Sequence, residues 1–195
     1  MFQKVGSAFN KWLGRLKRLF IWLGTWGFIF SVATIAGLKA GFDYDDTLAF
    51  TAPAYARVER PGLILNSPGY WKTLNQAYDL EKVKILPYIT AWMLRITGFK
   101  ISVVSERGSV GSDDLVKSWK PLVSEFRFVP NLKSKADILS GDNYMVYFGD
   151  SDSDILQARK AGVFPLRVKR SRKSNNRSDY RPGSLREWVI PLSEF

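Results

Sequence analysis

Residues 19–38 (LFIWLGTWGFIFSVATIAGL) run for twenty positions without a charge, and no other segment of this 195-residue chain restricts its own structure so tightly. As a helix the run spans about 30 Å, the hydrocarbon thickness of a bilayer. Ahead of it, Lys4, Lys11, Arg15, Lys17 and Arg18 lie among Phe2, Val5, Phe9, Trp12, Leu13 and Leu16 at helical spacing, a basic amphipathic lead-in. Trp12, Trp22 and Trp26 suit the interfacial belt or the upper leaflet. Basic residues before the span predict a cytoplasmic N-terminus and export of all that follows. A cleaved signal peptide is the close rival, with Thr34-Ile35-Ala36 as a small-residue cleavage site. The glycines and tryptophans fit a buried core helix less well than a span. The apolar run leads directly into a strand ending at Asp43, so residues 1–36 read as anchor or signal and residues 37–195 as one folded domain.

The net charge of +11 is unevenly placed. Residues 40–166 hold fifteen charges of each sign, whereas residues 167–186 hold eight bases against Asp179 alone. Without a broad basic face beside a stacking platform, no specific nucleic-acid partner is expected. The 167–186 stretch, with Asn175, Asn176 and Ser178, reads as a flexible surface loop that steers anionic substrates, meets anionic headgroups, or is solvated charge with neither role. The chain has no histidine and no cysteine. That excludes Ser-His-Asp and Cys-His catalysis and His- or Cys-based zinc sites, leaving carboxylates, Lys, Ser/Thr and hard metals.

Beyond residue 37 strands and helices alternate. Strands are expected at 37–42, 100–105, 126–129, 144–148 and 163–168, and helices at 112–119, 133–140 and 153–161. A helix is expected over 80–98, with apolar residues at Val83, Leu86, Ile89, Trp92, Met93 and Ile96 and a kink or restart at Pro87. Segments 54–60 and 69–78 would rim the site. Strand, crossover helix and strand in repetition imply a parallel α/β sheet with helices on both faces.

Chemistry in such sheets sits at the carboxyl ends of strands. There the sequence places Asp43-Tyr44-Asp45-Asp46-Thr47, Ser105-Glu106-Arg107, a lysine at 133 or 135, and Gly149-Asp150-Ser151-Asp152-Ser153-Asp154. Asp43 and Asp45 can reach one pocket where the strand becomes a loop. Asp150, Asp152 and Asp154 alternate as in a calcium hand, but Ile155 and Ala161 stand where that loop needs Gly and Glu.

These motifs, in this order, resemble the haloacid dehalogenase superfamily of aspartate-nucleophile phosphatases, and within it the bacterial class B acid phosphatases. The likeness covers residues 41–195 and includes Asn66-Ser67-Pro68-Gly69-Tyr70-Trp71. The resemblance implies a haloacid-dehalogenase-like Rossmannoid fold and Mg²⁺-dependent phosphomonoester hydrolysis through an aspartyl-phosphate. Asp43 would be the nucleophile and Asp45 the acid/base. Mg²⁺ would sit on Asp43, the Asp45 carbonyl, Asp150 and, in a supporting role, Asp154. Phosphoryl oxygens would be bound at Ser105, at the Glu106 backbone and by Lys135, which fits the motif better than Lys133. Glu106 stands where the family has glycine, so its carboxylate is expected either to point away from phosphate or to repel substrate. Tyr55, Leu65, Trp71 and Tyr180 would form a pocket for a nucleoside or aryl leaving group. The family also implies homo-oligomers. Rival readings are a lipid or sugar phosphatase and a catalytically weak phosphate-binding protein.

Overall fold

Side chains alternate between two apolar faces along the central strands, and that alternation builds the domain. The computed structural model describes residues 2–59, 63–129, 132–176 and 178–195. The side chains of residues 1–10, and with them much of the amphipathic lead-in, lie outside the described set, as does that of Lys133. The strands are β1 (Lys39–Phe42), β2 (Ala49–Phe50), β3 (Lys82–Val83), β4 (Lys100–Ser105), β5 (Glu125–Phe128), β6 (Tyr144–Gly149), β7 (Phe164–Arg167) and β8 (Trp188–Val189). The helices are α1 (Phe2–Ile35), α2 (Ala52–Val58), α3 (Pro68–Gln76), α4 (Ile85–Ile96), α5 (Asp113–Trp119), α6 (Leu132–Ser140) and α7 (Asp152–Lys160). Six strands form one parallel sheet in the order β5-β4-β1-β6-β7-β8, while β2 and β3 make a separate antiparallel pair.

Ala40, Phe42, Ile101, Val103 and Phe148 face one side of the sheet, where Ala91 of α4 and Leu115 and Trp119 of α5 close over them. Phe42 and Phe148 stack with centroids 4.3 Å apart. Val104 and Tyr147 face the other side, covered by Leu139 of α6 and Ala158 of α7. Central strands buried on both faces need crossover helices on both, which is why the sheet is parallel. Between β1 and α4 the chain inserts α2 and α3. Their own small core of Ala54, Val58, Tyr70 and Leu74 holds them together at the rim.

The helix expected over 80–98 divides. A 3₁₀ turn occupies Tyr78–Leu80, β3 pairs with β2, and α4 starts at Ile85. Pro87 falls in the first turn of α4, where its missing N–H has no partner to lose, so it begins the helix without kinking it. Pro87 and Ala91 face inward, whereas Ile89, Met93 and Ile96 are exposed. Two further elements were not expected: the short β2–β3 pair, and β8, which adds a sixth parallel strand after the basic stretch.

α1 contains one segment, Lys11–Ile35, long and apolar enough to cross a membrane by length and composition. Its apolar side chains are largely exposed; Ala33 is buried. Gly37, with φ of +61°, ends it: its N–H donates to the Thr34 carbonyl and that of Leu38 to Ala33, a Schellman closure. β1 follows at Lys39 with no linker. The end of α1 also presses on the α4–β4 turn, where a Cβ on Gly98 would lie 2.8 Å from the Phe30 carbonyl oxygen.

Candidate active site

β1 stops at Phe42, but the Asp43 N–H still donates to the Phe148 carbonyl at 2.8 Å. That bond fixes Asp43 at the carboxyl edge of the sheet. The chain then coils tightly, with Asp46 in the left-handed region and the amides of Leu48 and Ala49 donating to the Tyr44 carbonyl. This turn carries Thr47 back to Asp150, which accepts from the threonine hydroxyl at 3.0 Å.

β6 delivers the second group of carboxylates. Ser151 caps α7 reciprocally with Asp154: its Oγ accepts from the Asp154 N–H at 3.0 Å, and Asp154 Oδ2 accepts from the Ser151 N–H at 3.1 Å. The cap aims the other Asp154 oxygen inward. Gly149 is required for this turn, because a Cβ there would sit 2.3 Å from the Asp154 Cβ. α6 supplies Lys135, whose buried ammonium donates to Asp154 Oδ1 at 2.6 Å and Asp43 Oδ1 at 3.1 Å.

Asp43, Asp150 and Asp154 thus offer three buried carboxylate oxygens within 4.8 Å of one another. Burial pushes the Asp43 carboxyl well up, with Lys135 opposing and the other carboxylates adding. Burial likewise pushes Asp150 up to about 6. For Asp154 burial is outweighed by Lys135 and the Ser151 cap, which hold it below the usual carboxylate range. Burial alone would lower Lys135, but Asp154 and Asp43 hold it well above an ordinary lysine. A compact all-oxygen donor set with a deficit of positive charge fits a hard divalent cation.

Asp45 stands apart from that cluster. Its carboxylate takes a two-pronged bond from Arg107, Nε to Oδ2 at 2.8 Å and Nη2 to Oδ1 at 2.7 Å. Arg107 is itself buried, bonded to Glu81 at 2.7 Å and lying over the rings of Tyr44 and Tyr55.

These groups open onto a cavity of about 770 Å³, whose outer wall includes Tyr55, Asn66, Trp71 and Phe128. Tyr55 and Trp71 both line this cavity. Leu65 does not: it is 69% exposed, because Asn66 takes a left-handed turn into α3 and leaves the preceding side chain in solvent. Tyr180 also lies outside this cavity. It packs under the Arg170 guanidinium at 4.8 Å, accepts from the Arg170 N–H, and lines a smaller neighbouring cavity. Ser105 is buried and absent from the cavity wall, its hydroxyl accepting from the Arg107 N–H at 3.3 Å. Of the two alternatives for Glu106, its carboxylate does not point away: it lines the cavity, 3.4 Å from Lys135.

The basic stretch is not a solvated loop throughout. Arg167 is buried between Asp152, Glu187 and the Asp150 carbonyl. Arg170 donates through Nε to Asp150 and through Nη1 to the Ser178 carbonyl. The Ser174 hydroxyl donates to buried Asp46 at 2.5 Å. Buried Lys84 joins the catalytic turn to this segment, donating to the Asp46 carbonyl at 2.6 Å and the Lys169 carbonyl at 2.5 Å. Sequence reading missed Lys84, Arg167 and Arg170 as site residues; the crowding of bases at 167–170, directly after a strand, was the available signal.

No family model matches the chain. It is similar to class B acid phosphatases from Citrobacter rodentium (26% identical, spanning 81% of this chain and 73% of that one) and Klebsiella pneumoniae (28% identical, with the same coverage). Its fold is similar to the crystal structure of a protein from Haemophilus somnus described as a predicted phosphoglycolate phosphatase. That match has a TM-score of 0.55 at 16% identity, over 80% of this chain and 95% of the other.

Proposed function

We propose that this chain, a member of the haloacid dehalogenase superfamily near the class B acid phosphatases, is a phosphatase that hydrolyses phosphomonoesters through an aspartyl-phosphate on Asp43, with Mg²⁺ as its metal. The observation that carries the reading is the convergence of Asp43, Asp150 and Asp154 around Lys135, with Asp45 held separately by Arg107.

An Asp43 carboxylate oxygen attacks phosphorus in line with the ester oxygen, and the bond from phosphorus to that oxygen breaks. Asp45 gives the departing alkoxide a proton, then takes one from the water that attacks the phosphoaspartate. That second step releases orthophosphate and restores Asp43. Arg107 keeps the Asp45 carboxyl in one orientation for both transfers. Lys135 faces the charge that spreads over the phosphoryl oxygens in a loose transition state. Asp43, Asp150, Asp154 and the Asp45 carbonyl would hold Mg²⁺, which when bound neutralises charge on the phosphoryl group. Tyr55 and Trp71 suit the flat face of an aryl or nucleoside leaving group.

α1 supports an exported placement. A span beginning after a run of bases keeps its N-terminus in the cytoplasm and puts the catalytic domain on the other side.

p-Nitrophenyl phosphate tests the chemistry. Hydrolysis should require Mg²⁺, stop with EDTA and fall at least about a thousandfold in Asp43→Asn. Metal-independent turnover, or full activity in Asp43→Asn, would overturn the reading.

A further inference from the structure

β4 ends at Ser105, and the next side chain turns into the phosphoryl pocket. Glu106 Oε1 lies 3.4 Å from Lys135 Nζ, while 39% of the Glu106 side chain remains exposed at the cavity wall. An ammonium has three N–H donors. Two of those on Lys135 are directed at Asp43 and Asp154, whose positions are fixed by the β1–β6 ladder and by the α7 cap. Glu106 pairs with the same ammonium as an ion pair. A phosphoryl oxygen approaching Lys135 arrives from the cavity, the side on which Glu106 sits.

Two anions cannot share that side of the ammonium without repelling each other. Of the three carboxylates around Lys135, Glu106 is the one free to yield. Its contact is the longest, its side chain is the most exposed, and among the described residues Lys135 is its one ionic partner. Asp43 and Asp154 are buried and held by backbone.

We propose that Glu106 is a displaceable carboxylate that occupies the phosphoryl-oxygen position on Lys135 and thereby weakens the hold on every phosphate, the inorganic product included. Every phosphate dianion must displace it, so binding of the phosphoryl group alone is weak. An ester recovers affinity through its leaving group against Tyr55 and Trp71, whereas bare orthophosphate has nothing to offset the displacement. The common cost therefore loosens the inorganic product, while esters with substantial leaving groups still bind through Tyr55 and Trp71. The inference rests on Lys135 being the phosphoryl clamp of the proposed phosphatase.

Calorimetric titration of orthophosphate into the full-length chain, in detergent with Mg²⁺, tests it without relying on turnover. Glu106→Gln keeps the shape and removes the charge. Glu106→Gly removes the side chain altogether and guards against an amide that bonds Lys135 in its own way. Both variants should bind orthophosphate at least tenfold more tightly than wild type. Product inhibition of p-nitrophenyl phosphate hydrolysis should strengthen by the same factor. Orthophosphate affinity equal to or weaker than wild type in both variants overturns the proposal. If wild type hydrolyses no phosphomonoester but both variants still tighten on orthophosphate, the phosphatase reading fails and the role of Glu106 stands. If wild type is an active phosphatase and neither variant tightens, Glu106 alone is misread.

Discussion

Gly149 shows how single atoms set the site. Any Cβ there would lie 2.3 Å from the Asp154 Cβ, with rigid cap geometry on one side and Lys135 on the other. Gly149→Ala must therefore move Asp154, at a cost of about 1–3 kcal/mol in stability by chemical denaturation. The metal-dependent rate should fall at least about a hundredfold, since an ångström of misplacement reaches the chemistry. Unchanged kinetics would mean that Asp154 does not matter where it stands. Lys84 makes a second prediction. Burial lowers it to about 8 from an ordinary 10.5, with Asp150 and Asp46 opposing. Folded Lys84 thus binds fewer protons than unfolded Lys84 between those values, and its contribution to stability rises with pH from about 8 to 10.5. Its neutral amine still has two N–H donors for the carbonyls of Asp46 and Lys169. Denaturation midpoints of wild type should gain on those of Lys84→Met between pH 8 and pH 10; parallel curves would refute the assignment. Asp43, Asp45, Asp150 and Asp154 were legible in the sequence because backbone turns place them. Lys84 was not, because its role exists only once two distant loops meet around it.

At the scale of elements, the segment after β7 carries the largest departure from the sequence reading. The sequence reads as a surface loop there, yet Arg167 clamps the start of α7 to the C-terminal strand by reaching Asp152, Glu187 and the Asp150 carbonyl at once. Charge counting cannot distinguish a buried arginine from a surface one, because the acids that pair with it lie 15 and 20 residues away. Arg167→Leu would leave buried Glu187 with backbone N–H donors alone and Asp152 with Arg181 as its remaining ionic partner among the described residues, and should cost about 3 kcal/mol. Loss of β8 pairing would show in that variant as faster amide exchange at Ile190, whose N–H donates to the Arg167 carbonyl. A midpoint within error of wild type would rule the clamp out. The division of 80–98 has a similar origin. Val83 continues the apolar pattern but leaves the helix to pair with Ala49, a choice decided by contact with β2.

Over the whole molecule, α1 and the catalytic edge lie at opposite ends of one strand. β1 starts four residues after α1 ends and delivers Asp43 immediately after Phe42, so roughly 13 Å of strand separates the helix from Asp43. If residues 11–35 cross a bilayer, the domain begins at the lipid face and its cavity opens away from it. The sequence foretold this closeness, but the mode of closure needed the structure: a Schellman turn at Gly37 and the seat of α1 against Gly98 leave no free tether. Deleting residues 1–28 keeps Phe30 and Thr34 against Gly98 while removing most of the span. The shortened chain should move from the carbonate-resistant membrane fraction to the soluble one, with kcat on p-nitrophenyl phosphate within about twofold of the full chain, because no cavity residue is lost. A reporter fused after Phe195 should be active only outside the cytoplasm, with the anchored and shortened forms differing in location and not in chemistry. A full-length chain that washes off membranes with carbonate, or a reporter active in the cytoplasm, would refute the membrane-spanning assignment. The proposed role of Asp43 would be untouched by that outcome, since the anchor and the Asp43 carboxylate are tested by separate measurements.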